Sequence, residues 1–291
     1  MKYYRIAELE QLSGVKAHTI RIWEKRYNLI SPERTDTNIR LYNDHQVRKL
    51  LNITALLASG VKISKVALLS ENDIHSRVRQ IQSKSNTDVA TFSYINDLTS
   101  SMLDFNEELF ENALTKAISQ MGLFEAMTKV FYPFLYKIGL MWTTDGTMPV
   151  QEHFASNIIQ RKLIAIIDAL PPCTKKNKIF MLMLPPMEWH EIGLLFSNYI
   201  IKSKGFRTIY LGQNVPYDNV APIIKLCKVT HVLIFLVSRR NESEVRELRK
   251  HLNLSASTQL LVAGGASQTA LVGKNKNSHI MTHPTDLLKF L

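Results

Sequence analysis

Residues 6–12 carry Ile6, Leu9 and Leu12 at helical spacing, Ser13-Gly14 breaks the run, and residues 16–27 resume it with Ile20, Trp23 and Tyr27. Helices that short and that close read as a helix-turn-helix, whose second helix offers its N-terminal residues to the DNA major groove. Here those residues are Lys16, His18, Thr19 and Arg21, with Trp23 as a core anchor between helix and wing or, alternatively, an aromatic contact to the DNA backbone. In residues 31–42 a turn at Asp36 to Asn38 separates two short extended pieces, which predicts a wing. Strand alternation is expected to turn Ile39 and Leu41 inward and Arg40 and Tyr42 toward phosphate. Asn43 then caps a helix through Val47, Leu50, Leu51, Thr54 and Leu57 that ends at Gly60, and a shorter helix carries Ile63, Val66 and Leu69.

Charge agrees with that assignment. Residues 1–70 hold twelve Lys and Arg against six Asp and Glu, residues 71–170 eight against twelve, and residues 171–291 sixteen against seven. A basic first segment suits phosphate contact, whose counterion release makes binding salt-dependent. The C-terminal excess includes Lys175, Lys176, Lys178 and a mixed run from Arg239 to Lys250, which reads as solvated helix face. A chain of 291 residues can hold two or three domains. It contains no uncharged apolar run near the roughly 20 residues that cross a bilayer, and its start lacks a secretion signal, so a cytoplasmic protein without membrane contact is expected. Cys173 and Cys227 stand alone, in no disulfide or metal-binding pattern.

The words IRIWEKRYNLISPERT and NIRLYNDHQVRKL resemble the DNA-binding domain of the MerR family over residues 3 to 70. The resemblance implies operator contact by His18, Thr19, Arg21, Arg34, Arg40 and Tyr42. After Leu69 comes Ser70-Glu71-Asn72-Asp73 and later Ser83-Lys84-Ser85-Asn86-Thr87, not the long heptad helix through which such proteins commonly dimerise. Four parts are therefore expected: a winged helix-turn-helix in 1–72, a linker in 73–90, a helical bundle in 91–172 and an α/β domain in 173–291. Homo-oligomerisation, as a dimer or tetramer, then falls to the domains behind the DNA-binding module.

Helix-period residues Leu109, Phe110, Leu114 and Ile118, then Met127, Val130, Phe131 and Phe134, predict a bundle of the four-helix type. Within it Trp142 precedes an Asp145-Gly146 turn, Pro149 opens a helix, and Glu152-His153 stand at its start. Past Pro171-Pro172 short apolar runs alternate with helical stretches: 179–184, 191–204, 208–211, 216–228, 231–237, 242–252 and 260–263. That texture is a doubly wound parallel α/β domain, flavodoxin or Rossmann-like, whose strands are apolar throughout because helices cover both faces. The binding crevice of such a sheet lies at the carboxyl ends of its strands, and there fall Glu188, His190 and Gly193, Ser238, and Gly264-Gly265. Together they describe a loop with one available imidazole and a rim without side chains, suited to a long ligand tail. Imidazole is a fitting cobalt ligand, and an adjacent carboxylate can fix its tautomer.

EWHEIG is similar to the Asp-x-His-x-x-Gly loop of cobalamin-binding domains, with Glu188 for Asp. Trp142, nine residues, then Glu152-His153 resemble the cap motif of the light-responsive cobalamin repressors of the CarH and LitR type. The resemblance implies His190 as the lower cobalt ligand of adenosylcobalamin, with Trp142, Glu152 and His153 about the adenosyl group. Two positions depart from it. Thr143 stands where the light sensors place a second cobalt-binding His, and Leu236 stands where small polar residues are usual, threatening the nucleotide tail. The expected function is a DNA-binding transcription regulator and repressor, not an enzyme. Adenosylcobalamin, and light, would control its oligomeric state and its affinity for double-stranded operator DNA. A cobalamin-independent regulator with a protein-interaction domain is the alternative, and a corrinoid methyl-transfer or isomerase component the third.

Overall fold

The computed structural model describes residues 3–83, 87–145, 149–238, 240, 242–264, 269, 272 and 276–291. Two compact units divide the chain between Ile158 and Ile159.

The first unit opens with α1 (Ile6–Ser13) and α2 (Ala17–Tyr27). Gly14 ends α1 by taking φ 72°, a left-handed conformation open to glycine, and its N–H returns to the Glu10 carbonyl. Three antiparallel strands, β1 (Tyr3–Tyr4), β2 (Glu33–Arg34) and β3 (Arg40–Asn43), pair in the order β1-β3-β2. At the head of α3 (Asp44–Ala58) the Asn43 side chain accepts from the Gln46 N–H and the Gln46 side chain accepts from the Asn43 N–H, so two otherwise orphaned donors are satisfied. After α4 (Ile63–Val66) comes α5 (Glu71–Ser83), in the stretch expected to be linker. Its polar composition conceals a Ser70/Asp73 capping box and a narrow apolar stripe, Ile74 and Val78, which is buried.

Next come α6 (Thr87–Leu103), α7 (Glu107–Ala126), a π-helical turn (Met127–Phe131), α8 (Tyr132–Asp145) and α9 (Pro149–Asp168). These are the four long helices the apolar period predicts, with Pro149 in the first helical turn. Phe110 lies 5.7 Å from Phe134 and 5.9 Å from Phe154, tilted and edge-on respectively. The DNA-binding module does not hang from a tether: α3 packs on α6, where the Asn96 amide donates to the Leu51 carbonyl at 2.9 Å and Arg48 pairs with Asp104.

The second unit is a parallel sheet of β4 (Lys175–Met183), β5 (Phe206–Gly212), β6 (His231–Leu236), β7 (Gln259–Gly264) and β8 (Ser278–Met281). Its helices are α10 (Ile192–Ser203), α11 (Val220–Leu226), α12 (Glu242–Arg246), α13 (Leu248–His251) and α14 (Pro284–Leu287). Strand order is β5-β4-β6-β7-β8. The chain leaves β4 for one neighbour and returns to the other, so the sheet reverses its winding between β4 and β6, and a crevice opens at their carboxyl ends. On one face Met181, Met183, Ile234, Leu236 and Val262 form a core with Ile224, Val245 and Leu248. Among the described residues no helix is long and apolar enough to cross a membrane.

Candidate functional site

The helix α2 exposes His18 and Arg21 and half-exposes Thr19, while Ile20 and Trp23 are buried on its other side. Trp23 is thus the core anchor its position implied. Lys16 is solvent-exposed and paired with Glu10 at 2.9 Å. In the wing Arg34 is exposed and bonded to Asn38, and Arg40 Nε lies 3.0 Å from Glu24. Tyr42 corrects the predicted alternation. It is fully buried, with its hydroxyl donating to Glu24, and Ile39, which precedes β3, is 44 % exposed. No alternation survives in β3, where Arg40, Leu41 and Asn43 are all half-buried, because β3 is the middle strand and residue 42 sits opposite the buried Tyr4. Burial first, then the Glu24 carboxylate, pushes the Tyr42 phenol well up. Glu24, a lone acid among Arg21, Lys25 and Arg26, was missed by sequence reasoning. It fastens the wing to the recognition helix through both Arg40 and Tyr42.

In the cap, Trp142 and Thr143 belong to α8, but their side chains lie outside the described residues, as does Gly146. Glu152 stands in the first turn of α9 and His153 directly after it, His153 Nδ1 being 3.2 Å from Glu152 Oε2, and the imidazole is largely exposed.

The loop after β4 brings together the residues expected of a ligand site. Glu188 is completely buried. Its Oε1 accepts from the Trp189 and His190 N–H groups at 3.1 and 3.3 Å, lies 2.5 Å from His190 Nδ1, and accepts from Ser238 Oγ at 3.1 Å. Oε2 accepts from the N–H groups of Val237 and Ser238 at 3.0 and 2.8 Å. One carboxylate therefore spans the switch point, holding the loop after β4 to the end of β6. Burial by itself would raise its pKa; the His190 contact, then the N–H groups of Ser238 and Val237, overcome that and hold it at about 2. With Nδ1 committed to an anion, coordination of a metal by His190 falls to Nε2, and the ring's side chain is 53 % exposed. Arg240, expected in a solvated run, instead has a side chain only 7 % exposed, donates to the Pro186 carbonyl at 2.6 Å and pairs with Glu244. Nothing in its sequence neighbourhood marks it out from the exposed Arg246.

The rim glycines have definite neighbours. A β-carbon on Gly193 would lie 2.9 Å from Phe235 Cδ1 and nearer still to Cε1, and one on Gly264, at φ 130°, would strike the Leu236 carbonyl. Gly265 lies outside the described residues. Leu236, expected to threaten a ligand tail, is fully buried in the core on the sheet face away from Gly193. The oriented imidazole, its buried carboxylate and the apolar, exposed Met187 and Trp189 beside them fit a flat organometallic macrocycle that needs one nitrogen ligand.

Residues 4–73 match the model of the MerR HTH family regulatory protein, and residues 94–167, the helical bundle, match a B12 binding domain. The chain is 25% identical over 268 residues to the HTH-type transcriptional repressor CarH of Myxococcus xanthus, covering 91% of this chain and 89% of that protein. It is 24% identical to the repressor CarA of the same organism, covering 73% and 69%. A Methanosarcina barkeri monomethylamine corrinoid protein matches in structure with a TM-score of 0.50 and 14% identity, over 65% of this chain and 92% of that one, a likeness of fold alone. Module order and extent agree along the chain: it is a CarH-like transcription regulator that joins a MerR helix-turn-helix to a B12-binding module.

Proposed function

We propose that the protein represses transcription by binding operator DNA through α2 and the wing, and that a corrinoid ligated by His190 sets its operator affinity. The observation that carries this reading is the Glu188 carboxylate, buried across the switch point and bound to His190 Nδ1, behind a MerR-type module. Lys16, His18, Thr19, Arg21, Arg34 and Arg40 are the DNA contacts, and Tyr42 acts through the buried bond that sets the wing. His190 would hold the corrinoid, which when bound would supply a labile cobalt–carbon bond. The chain's own residues do the rest: Glu188 keeps the His190 proton on Nδ1, and Ser238 and Arg240 keep the loop in place. The corrinoid carries an adenosyl group, as in adenosylcobalamin, with Trp142, Glu152 and His153 serving that group. No single module makes many base contacts, so control acts through homo-oligomerisation, since linked modules gain avidity without new contacts. The protein is a regulator and not a methyl-transfer component, its relatives by sequence being named repressors.

The test begins with operator fragments selected by the protein from random duplexes. Adenosylcobalamin, in darkness and after illumination, is expected to shift both fragment affinity and the mass of the protein in solution. His190→Ala should abolish the shift. Absence of any bound corrinoid absorption at saturating ligand would overturn the proposal.

A further inference from the structure

We infer that Phe235 closes the notch beside Gly193, so that this chain selects corrinoids without a nucleotide tail over complete cobalamin. The inference rests on the corrinoid reading above and sharpens which corrinoid it is. When an imidazole from the protein takes the lower cobalt position, the benzimidazole of cobalamin is displaced, and its tail must find room next to the ligating residue. Three residues from His190, at the start of α10, Gly193 offers a stretch of helix backbone with no side chain. By sequence that is an opening. In the fold it is already filled: Phe235 of β6 lays its ring against Gly193, with Cδ1 and Cζ 2.9 and 3.1 Å from where a β-carbon would stand. The ring is on the opposite sheet face from Leu236, whose side chain belongs to the other core, so neither residue can be relieved by moving the other.

The second rim is closed as well. Gly264 is paired with Leu236 in the β6–β7 ladder, and the space above it is taken by the Leu236 backbone itself. A phenyl ring and a benzimidazole have similar thickness and cannot share one slot, and forcing extra volume into a packed site costs about one to two powers of ten in affinity. Phe235 is only half-buried, so its ring sits at the mouth of the notch, not in the deep core. Met187 and Trp189, beside His190, are exposed and would leave room for a corrin face there.

Adenosylcobinamide and adenosylcobalamin share corrin and upper ligand and differ only in the tail. Spectrophotometric titration of the full chain with each, in darkness, should give the tighter constant for adenosylcobinamide. Phe235→Ala should strengthen adenosylcobalamin binding by about tenfold or more and leave adenosylcobinamide unchanged. Phe235→Leu, which keeps an apolar side chain should the alanine variant fold poorly, should move in the same direction by less. Equal gains for both ligands, or adenosylcobalamin affinity unmoved in both variants, would overturn the role of Phe235 while leaving corrinoid binding intact. Failure of wild type to bind either compound would overturn the corrinoid reading and this inference with it.

Discussion

Replacing Glu188 by Gln changes one oxygen to an amide nitrogen at a position with no exposed surface. The carboxylate accepts from two backbone N–H groups on each oxygen: Trp189 and His190 on Oε1, Val237 and Ser238 on Oε2. Whichever way the amide is turned, its NH2 faces two backbone donors that it cannot satisfy. An unpaired buried donor costs about 1–3 kcal/mol, so Glu188→Gln should destabilise the second unit by about 2–5 kcal/mol. With the amide nitrogen toward His190, Nδ1 becomes an acceptor and the proton moves to Nε2, the nitrogen a metal would need. Loss of such an orienting partner typically costs about 10- to 100-fold in metal affinity. Urea unfolding followed by circular dichroism measures the first effect and spectrophotometric corrinoid titration the second. An unfolding free energy within about 0.5 kcal/mol of wild type, with unchanged ligand affinity, would refute the account of Glu188 as the clasp across the switch point.

His231, stacked on Phe180 at 4.5 Å and 2.8 Å from Thr230 Oγ1, has its pKa pushed down to about 4 by burial, then by Lys178 and His279. The folded value is below the unfolded one of about 6.5, so its contribution is complete above pH 6.5 and falls away toward pH 4, by up to about 3 kcal/mol. Unfolding free energy measured against pH should lose that slope in His231→Gln. Tyr42→Phe removes the buried hydroxyl that sets the wing and should cost about 1 kcal/mol in unfolding, with operator affinity at fixed salt, measured by fluorescence anisotropy, falling by no more than about fivefold. A large affinity loss with an unchanged melting transition would instead place the phenol on DNA. Gly264→Ala combines a strained φ of 130° with a clash on the Leu236 carbonyl and should destabilise by more than about 2 kcal/mol in the same unfolding assay.

Much of the fold was legible because it follows from local periodicity. The helix-turn-helix break at Gly14, the Asn43 cap, the four long helices and the alternation of the α/β domain each depend on a few adjacent residues. Legibility failed where composition outvoted pattern: α5 looked like linker because Ser, Asn and Asp surround Ile74 and Val78. It failed again at Tyr42, expected to face phosphate, since which side chains of a strand are buried depends on what β1 and α2 cover.

The sequence by itself determined the modules, their order and the residues of the EWHEIG loop, because helix and strand periods and short motifs are local properties of the chain. Only the tertiary structure decided what those residues meet. Strand order put Val237 and Ser238 next to Glu188, forty-nine and fifty residues away, and made one carboxylate the clasp of the site. It also put Phe235 against Gly193, filling from within a notch that glycine had seemed to leave open. A side chain's chemistry is carried by its own position, but the room around it is set by whatever the packing brings from elsewhere in the chain.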